Sequence, residues 1–244
     1  MHNAAMLPAL TASDALFLDF DGSLVELAPR PSEVVVSSAL LDLLGQLQDS
    51  HSGALAVISG RPISGLDELL QPFAFAAAGE HGAELRAAPG ESVVQGVVLP
   101  ESAAAAIAEL AALLPGTELE LKHASASLHY RGAPQHKDAL IEGMQRIAAD
   151  YSGYALMFGK MVAELKPANV DKGVAIRELC ARPLFANRRP VFVGDDVTDE
   201  PGFVTVNELG GISLRVGGIA DSHAQHSLDS VAAVHNWLRE GLKA

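Results

Sequence analysis

The 244-residue sequence predicts an α/β protein: a doubly wound parallel sheet carrying an inserted α+β unit. Three observations lead there. Short apolar runs alternate with amphipathic stretches along most of the chain, the pattern of right-handed strand–helix–strand crossovers. Asp19 and Asp21 follow an apolar run in LFLDFDGSL and lead into a glycine turn, which puts them at the strand end where open α/β sheets gather ligands. From Glu101 to Leu165 the continuous apolar runs give way to strict alternation, marking a second kind of sheet.

Taken in order, Ala15–Leu18 reads as a buried strand, Val36–Gln48 as a helix from its leucine spacing, Ala54–Ile58 as a strand and Ser64–Leu70 as a helix. Phe73–Ala78 and Val191–Val193 are further buried strands. Asp171–Cys180 and Leu228–Leu242 are helical by periodicity. Between them, Glu101–Leu165 reads as αββαββ, with its second helix at Gln135–Asp150. In its strands Leu119 and Leu121 alternate with Glu120 and Lys122; Ala126, Leu128 and Tyr130 with Ser127, His129 and Arg131; Met161, Ala163 and Leu165 with Lys160, Val162, Glu164 and Lys166. One face should therefore pack on the two helices. The other presents Glu120, Lys122, His129, Arg131, Lys160 and Glu164, a mixture suited to hydroxyls and a phosphate, although a plain solvated face has the same pattern.

Composition narrows the function. With 49% hydrophobic residues the chain has ample material for a core. A net charge of −13 repels nucleic acid and anionic membranes, so any phosphate site depends on local cations. No apolar run is long enough to span a membrane, and Met1–Ser13 lacks the basic start of a signal peptide, so the expectation is a cytoplasmic protein with a frayed N-terminus. Cys180 is the only cysteine, which excludes an internal disulfide; in IRELC it reads as a core residue.

Two carboxylates facing one spot repel each other unless a cation lies between them or one keeps a proton, and both arrangements serve catalysis on a phosphate ester. Ser59, Gly60 and Arg61 follow a strand and offer a hydroxyl, a loop amide and a guanidinium for phosphate oxygens; SGR by itself equally fits a strand-to-helix turn capped by Ser59. Lys172 opens a helix in VDKG, where lysine and helix dipole both favour an anion. GDDVTDE (194–200) gathers four acids after the strand VFV. Such a cluster points to a hard cation, Mg2+ being the natural candidate, with Asp195 best placed and Asp199 and Glu200 reading as helix cap and dipole partners.

In this order, DFDGSL, SGR, the lysine of VDKG and GDDVTDE resemble the haloacid dehalogenase (HAD) superfamily of phosphotransferases, and the insertion resembles its C2-type cap. GEHGAEL (79–85), ELKP (164–167) and GDDVTDE narrow the resemblance to the trehalose-6-phosphate phosphatase family. Ser23 stands where the family's first motif usually has threonine, and the hydroxyl is kept. The resemblance implies a HAD-like core over 14–100 and 167–244, a cap over 101–166, and a flexible segment over 1–13. It also implies the roles. Asp19 is the nucleophile, Asp21 the general acid and base, and Ser59 and Lys172 hold the transferring phosphoryl group. Mg2+ is held by Asp19, the backbone carbonyl of Asp21, and Asp195. Asp196 orients Lys172 or a nearby water, with Asp199 beside it. Arg61, His81, Glu120, Lys122, Arg131, Lys160 and Glu164 are the expected substrate contacts. The implied activity is hydrolysis of trehalose 6-phosphate in trehalose biosynthesis by a monomer needing no nucleic acid or membrane. Another HAD sugar phosphatase, acting on sucrose, mannosylglycerate or hexose phosphates, shares the core. A receiver-like phospho-acceptor module also places aspartate, lysine and Mg2+ together, but Asp21 and the large insertion argue against it.

Overall fold

The computed structural model describes residues 7–28, 30–159, 161–218 and 220–243. The protein has two compact units, one formed by the chain up to Val94 and again from Asp171, the other by Gln95–Val170. The first segment runs β1 (Asp14–Asp19), α1 (Ser38–Ser50), β2 (Leu55–Ile58), α2 (Ile63–Leu69), β3 (Ala76–Gly79), β4 (Glu84–Arg86) and β5 (Val94–Gln95). The second unit contains α3 (Glu101–Leu113), β6 (Glu118–Leu121), β7 (Ala126–His129), α4 (Lys137–Ala149), β8 (Tyr154–Gly159) and β9 (Val162–Pro167). The chain then returns through α5 (Lys172–Cys180), β10 (Arg189–Gly194), α6 (Glu200–Glu208), β11 (Ile212–Val216), β12 (His226–Leu228) and α7 (Val231–Gly241).

The first unit is a sheet of order β12-β11-β10-β1-β2-β3-β4-β5. Its strands from β12 to β3 are parallel, and β4 turns back antiparallel on β3. Both faces of β1 are covered, which is why it can be apolar at successive positions. Leu16 and Leu18 pack with Leu40, Leu44 and Leu47 of α1 and Val234 and Leu238 of α7. Ala15 and Phe17, on the opposite face by the period of two, pack with Ile176 and Leu179 of α5 and Phe203 and Val206 of α6. The register sets the site: Asp19 lies opposite Ile58 and Leu18 opposite Val193, so Asp19, Ser59 and Asp195 leave three adjacent strands at one level.

Some expectations need correction. The Leu228–Leu242 helix is a short edge strand followed by α7, because Ser230 caps the helix by accepting from the Ala233 amide. The strand read as Phe73–Ala78 begins at Ala76, since the Phe73 amide closes a turn on Leu70. Residues 7–13, expected to fray, are tied down. Leu10 is buried in the core, Pro8 accepts from the Trp237 indole at 3.1 Å, and Thr11 N donates to Asp14 at 2.8 Å. Among the described residues no helix is long and apolar enough to cross a membrane.

The second unit is an antiparallel sheet of order β6-β7-β9-β8 with two helices on one face. Ala126, Leu128, Ala163 and Leu165 meet Ala103 and Ile107 of α3 and Leu140 and Met144 of α4. The other face carries the row Glu120, Ser127, Glu164, Met157, set by direct cross-strand pairing. The unit extends beyond the alternating segment because Leu99 is buried in its core and donates its amide to His123 at 2.9 Å.

Candidate active site

Three strand ends and one helix start converge in the first unit. β1 ends at Asp19, β2 leads into Ser59, β10 leads into Asp195–Asp199, and α5 begins at Lys172, its N-cap Asp171 accepting from the Val174 amide. Lys172 Nζ donates to Asp19 Oδ1 at 2.7 Å and to Asp199 Oδ1 at 2.5 Å. All three side chains are buried. Asp199 Oδ2 accepts from the amides of Asp195 and Asp196, both at 2.9 Å, within a reciprocal capping box with Asp196.

This arrangement corrects one expectation. Asp196 is exposed and serves the cap, whereas Asp199 braces the lysine. A single 3-10 turn over Val197–Asp199 brings the fourth residue after Asp195 back to the strand end. The D-x-x-D spacing of a capping box was the available signal; the contact to a lysine 27 positions away had none.

One lysine faces three carboxylates, so negative charge is in excess. Burial first, and then Asp199 and Asp195, push the Asp19 carboxyl well above the usual carboxylate range despite Lys172. Asp195 is pushed up to about 7 by burial, then by Asp199 and Asp196. Burial by itself would lower Lys172, but Asp19 and Asp199 outweigh it and raise the ammonium above its ordinary value, so the lysine stays charged. The residues fit a divalent cation. Oxygens of Asp19, Asp195 and Asp199 lie within 4.8 Å of one another, and Asp19 Oδ2 is buried with no hydrogen-bond partner among the described residues. Asp199 already accepts three hydrogen bonds, which makes it the brace and leaves Asp19 and Asp195 as the available carboxylates. Gly22 permits this closeness: its φ is +84°, and a Cβ there would lie 2.2 Å from Asp195 Oδ2.

Arg61 forks onto Asp21, Nε to Oδ2 at 2.6 Å and Nη2 to Oδ1 at 2.7 Å, with its guanidinium 5.6 Å from the Phe20 ring centre. Ser59 is buried, and its Oγ accepts from the Arg61 amide at 3.1 Å, which leaves the hydroxyl hydrogen uncommitted by that bond. His81 sits against this loop. Its amide donates to Ser59 O, the Glu80 amide donates to Arg61 O, and a Cβ on Gly60 would come within 2.7 Å of the His81 ring. Glu84, which sequence reading passed over, accepts from Ile63 N at 2.7 Å where α2 begins.

In the second unit Lys122 Nζ donates to Glu164 Oε1 at 3.0 Å, and Ser125 Oγ donates to the same oxygen at 2.6 Å. His129 Nε2 and Glu120 Oε2 lie 3.0 Å apart, and the hydrogen bond from His129 leads the causes that hold Glu120 below its ordinary value. Arg131 is exposed in the turn after β7. Lys160 lies outside the described residues.

A family model described as trehalose-phosphatase matches residues 17–232. The chain is 44% identical over 235 residues to the trehalose-6-phosphate phosphatase of Escherichia coli (strain K12), covering 95% of this chain and 87% of that protein. It is 39% identical to a probable trehalose-phosphate phosphatase of Sinorhizobium fredii, covering 90% and 84%. In fold it is similar to the C-terminal domain of C. albicans trehalose-6-phosphate phosphatase, with TM-score 0.80 at 22% identity over 95% of this chain and 93% of that one. It is also similar to a phosphatase of the haloalkanoate (HAD) superfamily from Bacteroides thetaiotaomicron, with TM-score 0.64 at 16% identity over 98% and 100%. The chain belongs to the trehalose-phosphatase family, phosphoric monoester hydrolases on the HAD fold.

Proposed function

We propose that this chain hydrolyses trehalose 6-phosphate to trehalose and phosphate through a phosphorylated Asp19. The observation that carries the reading is the buried Asp19–Lys172–Asp199 arrangement with Asp195 beside it, in a chain of this family. A carboxylate oxygen of Asp19 attacks phosphorus, and the bond from phosphorus to the sugar oxygen breaks. Asp21 gives the departing oxygen its proton, then accepts one from the water that attacks the aspartyl phosphate and frees Asp19. Arg61 holds both Asp21 oxygens, so proton transfer requires that fork to open; the substrate phosphate is an anion suited to draw Arg61 away.

Lys172 has three N–H donors, two of them committed to Asp19 and Asp199, and the third is left for a phosphoryl oxygen. Ser59 supplies a second donor. Asp19, Asp195 and the Asp21 carbonyl would hold Mg2+, which when bound offsets the repulsion between nucleophile and phosphate. The Asp21 side chain is committed to Arg61, which favours its carbonyl for this role. On the second unit, Glu120, Lys122 and Glu164 bind sugar hydroxyls, and Arg131 and Lys160 add positive potential. His81 braces the Ser59 loop and with it the phosphate contacts.

Phosphate release across a panel of sugar phosphates, with and without Mg2+, tests reaction and substrate together. Asp19→Asn should lower turnover of trehalose 6-phosphate by at least about a thousandfold with an unchanged circular-dichroism spectrum. Retained turnover in that variant overturns the nucleophile assignment. A preference for sucrose or hexose phosphate over trehalose 6-phosphate overturns the substrate.

A further inference from the structure

We propose that Ser125 is a positioning residue for sugar recognition, fixing the Glu164 carboxylate on the polar face of the second unit's sheet. The inference rests on the reading that this face binds the disaccharide.

The geometry begins with the register. Ser127 pairs directly with Glu164, so Ser125 lies two residues along the same strand line and on the same side of the sheet. The Lys122 amide donates to Ser125 O at 2.9 Å, closing the turn between β6 and β7 and setting both side chains beside Glu164. Ser125 Oγ and Lys122 Nζ then converge on one oxygen, Glu164 Oε1, at 2.6 and 3.0 Å. Ser125 and Glu164 are only 3% and 4% exposed, so this is a built contact and not a surface rotamer.

An ammonium is a point charge around which a carboxylate can pivot. A hydroxyl hydrogen bond is directional, and at 2.6 Å it has the length of a charge-assisted bond. Ser125 therefore adds orientation without adding charge, leaving the Lys122–Glu164 pair electrically balanced. Neutral hydroxyls are told apart by hydrogen-bond direction, so an oriented carboxylate is what the proposed recognition requires.

The test uses the full chain with Mg2+ and two substrates. Ser125→Ala should raise KM for trehalose 6-phosphate about tenfold and leave kcat/KM for p-nitrophenyl phosphate within about twofold. Combining it with Glu164→Gln should cost no more than Glu164→Gln by itself, because the bond it removes is already weakened. An unchanged KM in Ser125→Ala, equal losses on both substrates, or additive losses in the double variant would each overturn the inference. Glu164→Gln separates it from the underlying reading. If that variant hydrolyses trehalose 6-phosphate like the wild type, the sugar-binding role of this face falls and Ser125 with it. If Glu164→Gln is impaired and Ser125→Ala is not, only the Ser125 inference falls.

Discussion

The two polar clusters of this molecule are built in opposite ways. The cluster around Lys172 joins residues as far apart in sequence as Asp19 and Asp199, is buried, and carries more negative than positive charge. On the polar face of the second sheet the Glu164 carboxylate has its own ammonium from Lys122, and Glu120 hydrogen-bonds His129. The first arrangement is costly without a cation and suits chemistry on an anion. In the second, the Lys122–Glu164 pair is balanced before any ligand arrives. Charge imbalance sets the first cluster apart from the paired Lys122 and Glu164 of the second.

Removing the lysine should have the largest effect. Lys172→Met leaves Asp19 and Asp199 buried without their counter-charge, so unfolding in urea should register a loss of about 3 kcal/mol, and turnover should fall at least about a hundredfold. Unchanged stability would erase the contrast, since the core cluster would then tolerate imbalance as easily as the second sheet tolerates change.

An intermediate effect is expected from Gly22→Ala. Its Cβ at positive φ collides with Asp195, so the Mg2+ concentration for half-maximal activity should rise about tenfold or more, with a stability cost of about 1–2 kcal/mol. Normal Mg2+ dependence would remove Asp195 from the proposed metal set.

The smallest effect belongs to the second sheet. The Glu120–His129 pair is partly exposed, so His129→Gln should shift the melting temperature by no more than about 2 °C at neutral pH. Its hydrogen bond holds Glu120 below the ordinary value of 4.5, so whatever stability it gives is present above that pH. As pH falls through the lowered value, Glu120 takes up a proton and the variant and wild-type melting temperatures should converge. A larger shift at neutral pH would show that this hydrogen bond is a structural necessity of the second sheet.

Much of the fold was legible because it is written locally. The apolar run of β1, the leucine spacing of α1, the helical periodicity of Asp171–Cys180 and the alternation of the second sheet each act over a few residues. β4 was not legible, since its three residues pair with β3 only after the GEHG turn reverses the chain. The edge strand β12 was absorbed into the helical pattern that follows it, and its existence depends on pairing with β11. In the site, the motif residues stand out as types, but the Lys172–Asp199 contact, the Arg61 fork on Asp21, and Ser125 on Glu164 are matters of geometry between segments far apart in sequence.

The sequence by itself determined the central strands, most of the helices and which loops carry the acids, because periodicity and capping are nearest-neighbour physics. Only the tertiary structure decided which acid meets which base. That depends on register: a shift of one residue between β1 and β10 would turn Asp19 to the other face of the sheet and leave Lys172 with Asp199 alone.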